Sequence, residues 1–148
     1  MYRLLALLAL PALVLLVSAC GGSSIEEKVD LTPNQLTDVG VCTRVVEDRC
    51  TGDMEVIPAD SPRIYVAARV HNATIGTVVS ASLRNLEGGE PLELVNTQVT
   101  IERVNTSLDS YPVFYFTNTE PWTRGAYSVK VQVEAQDAAP VHKDFRVE

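Results

Sequence analysis

The chain has 148 residues, 12 of them Lys or Arg and 19 Asp or Glu, for a formal net charge of -7. That length suits one folded domain, and the acidic balance argues against a nucleic-acid binder working through a basic surface. Apolar residues make up 46% of the chain, a figure inflated by its first stretch. The remainder is still too apolar for a disordered tail.

The first stretch is an address. Arg3 precedes an apolar run over residues 4–17, broken only by Pro11, and then come Ser18, Ala19 and Cys20. A positive start, an apolar middle and small residues before a cut describe an export signal. As a helix, residues 4–19 would extend about 24 Å at ~1.5 Å per residue, short of the roughly 30 Å of a hydrocarbon core. Val17-Ser18-Ala19-Cys20 resembles the lipobox of bacterial lipoprotein precursors. The resemblance implies that residues 1–19 are removed, that Cys20 carries a diacylglyceryl group, and that its new amino group is often acylated. Two or three acyl chains make a stable anchor, at about 0.8 kcal/mol per buried methylene. The implied location is the cell envelope, anchored to a lipid bilayer. In a Gram-negative source, Gly21 after the cysteine resembles the outer-membrane pattern, with the domain facing the periplasm or the surface. Otherwise the outer face of the cytoplasmic membrane is implied.

Residues 20–36 read as a tether. Gly21-Gly22-Ser23-Ser24 is flexible and Glu26 and Glu27 are solvated. Thr32 to Leu36 is expected as one helical turn, with Thr32 as cap and Pro33 in first position. The domain itself is expected over residues 37–148. Cys42 and Cys50 enclose seven residues. In an exported protein a disulfide between them is favoured over two free thiols, and no histidine lies nearby in sequence to complete a metal site.

The strand pattern starts near Val39, where alternation points to a short strand with Glu47-Asp48-Arg49 as its turn. Residues 54–57 follow, then a loop over 58–62. Residues 63–71 alternate most clearly, with Ile64, Val66, Ala68 and Val70 on one face and Tyr65, Ala67, Arg69 and His71 on the other. Asn72-Ala73-Thr74-Ile75-Gly76 is a turn. Residues 77–86 place Val79, Ala81 and Leu83 inward and Ser80, Ser82 and Arg84 outward. Glu87-Gly88-Gly89-Glu90 turns the chain, residues 92–104 are β-rich, and residues 105–110 form a polar loop. Residues 112–117 are aromatic on both faces. Residues 126–134 put Tyr127, Val129, Val131 and Val133 inward, with Ser128, Lys130, Gln132 and Glu134 outward. Residues 135–140 turn, and residues 141–147 close the domain with Phe145 and Val147 inward.

Seven or eight short half-wet strands with no long helix argue for an all-β fold of antiparallel sheets. An apolar face must be covered, and here only a second sheet can cover it. A sandwich is expected, with a small barrel as the alternative. Ser61-Pro62-Arg63-Ile64-Tyr65, Gly76-Thr77-Val78-Val79-Ser80-Ala81, the Trp122 to Val131 segment and Phe145-Arg146-Val147 resemble the immunoglobulin-like domains of bacterial surface lipoproteins. The resemblance covers residues 58–148 and implies a scaffold rather than an activity. The long-range Cys…Trp…Cys spacing of antibody domains is missing.

No GxGxxG, P-loop, HExxH, GxSxG or CxxC motif occurs. No catalytic residue, metal or cofactor is expected. The Asn72-Ala73-Thr74 and Asn105-Thr106-Ser107 sequons match turn composition. His71 and His142 read as surface histidines, although a buried, hydrogen-bonded carboxylate beside either would point to an enzyme. Tyr111, Phe114, Tyr115, Phe116 and Trp122 crowd into twelve residues. They fill a core or form a ledge for a partner. Tyr115, Phe116 and Trp122 are the candidate partner-binding residues, with Trp122 the ring most readily placed at the surface. The expected function is that of a non-enzymatic envelope lipoprotein that binds an envelope protein or a glycan, or supports an assembly. The alternatives are a carbohydrate-binding module, and a small enzyme or enzyme inhibitor.

Overall fold

The computed structural model describes residues 31–87, 92–134 and 137–148. The expected signal peptide, Cys20, most of the tether and parts of two turns lie outside the described residues. Those residues form an all-β fold of ten strands in three sheets. The strands are β1 (Gln35–Cys42), β2 (Val45–Val46), β3 (Arg49–Cys50), β4 (Val56–Ile57), β5 (Arg63–His71), β6 (Val78–Asn85), β7 (Leu92–Thr100), β8 (Val113–Thr117), β9 (Gly125–Val133) and β10 (Val141–Val147).

One sheet has the order β1-β5-β8 and is antiparallel throughout. The second has the order β4-β10-β9-β6-β7, with only β4 running parallel to its neighbour β10. The hairpin β2-β3 is the third. Period-two alternation sets the burial. Ile64, Val66, Ala68 and Val70 of β5, Phe114 and Phe116 of β8, and Tyr127, Val129, Val131 and Val133 of β9 all join one hydrophobic cluster. Both large sheets therefore share a single core.

Three expectations change. Thr32 to Leu36 is not a helical turn: Pro33 and Asn34 turn the chain, and β1 starts at Gln35, paired with His71. Gln35 and Leu36 thus belong to the sheet and not to the tether. Ser80, Ser82 and Ser128 are buried, although they sit on the face expected to be wet. Each lies on a central strand between longer neighbours: Ser82 is flanked by Lys130 and Asn96, Ser80 by Gln132 and Gln98, Ser128 by Asp144 and Arg84. The long side chains shade the short ones. Ser80 also donates a hydrogen bond to Glu134.

Two turns explain themselves. Glu47 and Asp48 both take positive φ, 50° and 59°, which is the two-residue hairpin geometry whose twist matches antiparallel strands. At Gly125 the φ is 147°, and an added Cβ would meet Glu87 Cγ at 2.6 Å. Glycine suits the start of β9 because that φ strains any L side chain, and its bare Cα leaves room for Glu87 to accept a hydrogen bond from the Ala126 N–H.

Candidate functional site

The outer face of the β1-β5-β8 sheet carries the unusual surface chemistry. Alternation aims Arg63, Tyr65, Ala67, Arg69 and His71 of β5 at it, beside Tyr115 of β8. Tyr65 and Tyr115 are cross-strand partners, with ring centroids 6.4 Å apart and planes tilted by 53°. Arg63 donates to the Tyr65 hydroxyl at 3.3 Å and lies 5.5 Å from the Tyr115 ring centre. Tyr115 is 59% exposed.

The disulfide positions the other half. Cys42 and Cys50 are bonded, with Cα atoms 5.7 Å apart. The bond folds the β2-β3 hairpin back over the sheet at Gly40, where a Cβ would lie 3.7 Å from Cys50 Cβ. Asp53 secures the same corner, accepting from the Val41 N–H at 3.1 Å and from Lys143. Burial pushes the Asp53 carboxyl up, but Lys143 and the Val41 N–H outweigh it and bring it below its ordinary value. Between hairpin and sheet is a cleft of about 540 Å³ lined by Asp38, Gly40, Arg49, Ala67, Arg69 and Tyr111. The Arg49 guanidinium stands 4.3 Å over the Tyr111 ring.

A buried carboxylate anchors the floor of this face. Asp109 is 4% exposed. Its Oδ2 accepts from Arg69 at 2.8 Å, and its Oδ1 lies 2.6 Å from His71 Nδ1. A carboxylate oxygen accepts, so the imidazole nitrogen donates. Desolvation raises the Asp109 pKa, but the bonds from His71 and Arg69 win and hold it below its ordinary value. The same bond to Asp109 raises Arg69, against a smaller desolvation effect. Asp38 approaches Arg69 at 3.6 Å from the other side.

The sequence-predicted residues separate. Tyr115 is at the surface. Phe116 (1% exposed) and Trp122 (5% exposed) are in the core and are removed from the partner-binding set. Phe116 follows the alternation of β8 inward. Trp122 is pulled in by its backbone N–H, which donates to Ala59 O at 2.8 Å, and by its indole N–H, which donates to Ser61 O at 2.9 Å. His142 is exposed on β10. Sequence reasoning placed Tyr111 in the aromatic cluster but missed Asp109 and Arg49 as parts of a site. Only the proximity of Arg49 to Cys50 hinted that the disulfide would place it over the sheet.

No protein-family model matches the chain, and no characterised protein matches it in sequence. Solved structures resemble it distantly. An immunoglobulin-like protein from Pseudomonas aeruginosa has a TM-score of 0.47 at 13% identity, covering 78% of this chain and 95% of that one. The CARDB domain of a Pyrococcus furiosus protein, solved with di-metal ions, has a TM-score of 0.45 at 13% identity, covering 77% and 93%. A β-glucosidase from Erythrobacter marinus has a TM-score of 0.49 at 10% identity over 77% of this chain, and the chain spans only 15% of that enzyme's length.

Proposed function

We propose that the chain is a lipid-anchored, non-catalytic binding module of the cell envelope, built as an immunoglobulin-like sandwich and binding through the outer face of β1-β5-β8. The sandwich reading is supported by the shared core of the two large sheets and by Tyr127. Near the start of β9, its hydroxyl donates to Thr123 O four residues upstream, at 2.7 Å, the arrangement of a tyrosine corner. The lipid anchor is supported by the Val17-Ser18-Ala19-Cys20 motif.

One observation carries the binding reading. The face gathers Tyr115, Tyr65 and Arg63 beside a cleft with Arg49 stacked on Tyr111. Tyrosine and arginine held in place by neighbours bind with little further loss of freedom. An envelope protein is the ligand class favoured here, because rings tilted by 53° do not form one flat platform for a sugar. The test compares affinity capture from envelope extracts by the lipidated protein and by its Tyr115→Ala/Arg49→Ala variant, with a glycan array run on both. A partner retained by the parent and lost by the variant supports the proposal. Identical captures by both would refute this face, and glycan signal alone would move the ligand to carbohydrate.

A second reading, a small acid–base enzyme, has its own observation. His71 with its Nδ1 held by a buried Asp109 has the form of a histidine oriented by a carboxylate. Against it, Arg69 occupies the other carboxylate oxygen, so Asp109 also works as a clamp between β5 and residues 105–110. His71→Gln separates the readings: an enzyme loses turnover of its substrate, whereas a binding module keeps its partner.

A further inference from the structure

Four connections meet at the end of the domain where the described chain begins. They are residues 31–34, residues 72–77 between β5 and β6, residues 101–112 between β7 and β8, and the described residues 134 and 137–140 between β9 and β10. The first three are tied together. Asn72 Nδ2 donates to Thr32 O at 3.1 Å, and the Asn34 N–H donates to Asn72 O at 3.0 Å. The Thr74 N–H donates to Asn34 Oδ1 at 2.8 Å, and the Ala73 N–H donates to Leu108 O at 2.7 Å.

These tied loops expose three large aliphatic side chains, Leu31 (76%), Ile75 (64%) and Leu108 (53%). Residues 31–37, 72–83 and 104–108 contain no charged residue, in a chain of net charge -7. Glu102 and Arg103 cancel at the rim, Asp109 is buried in its pairing with Arg69 and His71, and Glu134 and Asp137 lie on the β9–β10 side. The other exposed aliphatics, Val46, Val56, Leu94 and Val95, sit on strands, and all but Val95 stand directly beside a glutamate in sequence. Leu108 has a φ of 59°, a left-handed conformation that suits Gly or Asn and is an outlier for a bulky residue. The loop enforces it: Asn105 Oδ1 accepts from the Ser107 N–H at 2.9 Å and the Asp109 N–H at 2.8 Å. The result is an aliphatic side chain presented to solvent on a braced loop.

We infer that this end of the domain is a membrane-docking surface, with Leu31, Ile75 and Leu108 seated in the headgroup region of the lipid layer that holds Cys20. The inference rests on the lipid anchor proposed above. Eleven residues lead from Cys20 to Leu31, a reach of at most about 40 Å at ~3.3–3.6 Å per residue. The chain enters the domain within this patch, so the anchor holds the patch within that reach of the bilayer. Apolar side chains partition into the interface, and the stretches that carry Leu31, Ile75 and Leu108, residues 31–37, 72–83 and 104–108, bring no carboxylate of their own against anionic lipid. The domain is thereby oriented, with the β1-β5-β8 face standing beside the membrane rather than lying on it.

The test uses the mature lipidated protein in vesicles of phosphatidylcholine and phosphatidylglycerol. An environment-sensitive fluorophore is placed on Ser107→Cys, or on Glu120→Cys at the opposite end, with and without bromine-substituted lipid. Docking predicts a blue-shifted emission quenched by the bromolipid at position 107 and neither effect at position 120. Adding Ile75→Asp and Leu108→Asp should abolish the effect at 107 while the protein stays on the vesicles. Equal, water-like emission at both positions on vesicle-bound protein would overturn docking and leave the anchor intact. Protein that stays in the aqueous phase would overturn both. A blue shift that grows with protein concentration in detergent without vesicles would assign the patch to a second copy and overturn the membrane reading.

Discussion

Asp109 shows how much one side chain carries. It pairs with Arg69 on one oxygen and His71 on the other, and closes residues 105–109 through its own backbone bonds to Asn105. Its folded-state pKa is lowered from 3.8, so its contribution to stability is complete above about pH 4 and is lost as pH falls through the lowered value. Asp53, lowered as well, adds to the same acid limb. Asp109→Asn should cost about 1–3 kcal/mol at neutral pH, the range for a buried polar group left poorly paired. It should also flatten the loss of stability below pH 4. Urea midpoints from pH 2.5 to 7 check both, and an unchanged acid limb would assign the acid sensitivity to other carboxylates. The aromatics give a second contrast. Trp122→Ala empties a core position and should cost about 3–5 kcal/mol, while Tyr115→Ala at the surface should stay within about 1 kcal/mol. Equal costs in thermal unfolding would contradict the burial described for the two rings. The burial of Phe116 follows from the alternation of β8. That of Trp122 could not be read from Pro121-Trp122-Thr123, because its hydrogen-bond acceptors, Ala59 and Ser61, lie about sixty residues away.

At the scale of elements, the hairpin β2-β3 is too short to hold itself in place. Two residue pairs form its ladder, and a hairpin of that size is not stable alone. Its place over the sheet depends on the Cys42–Cys50 bond. Reduction, or the Cys42→Ser/Cys50→Ser variant, should lower stability by roughly 2–3 kcal/mol on the loop-closure account and widen the cleft by freeing Arg49 from Tyr111. Thiol titration of the unfolded, lipidated protein should find no free thiol before reduction and two after it, and two before reduction would refute the bond. The long strands were legible because one apolar face repeats with period two: β5, β9 and β10 fall within a residue of their expected bounds. The wet faces were less legible. Whether Ser80 or Ser128 meets water depends on which side chains stand beside it across the ladder, and that pairing is set by sheet order rather than by local sequence.

Cys20→Ser should release the protein from membranes or block its processing, read by fractionation and by the mass of the mature N-terminus. Normal retention and processing would refute the lipid anchor. The amino-acid order alone determined that the fold is all-β and where β5, β6, β9 and β10 run, because side-chain alternation is a local property of an extended backbone. It also placed the two cysteines close enough to bond. Only the tertiary structure decided that Asp109 is buried against β5, that Arg49 lies over Tyr111, and that Leu31, Ile75 and Leu108 gather at one end. Those groupings bring together residues as much as seventy-seven positions apart, and no local rule of polarity or periodicity reaches across the turns that bring them together.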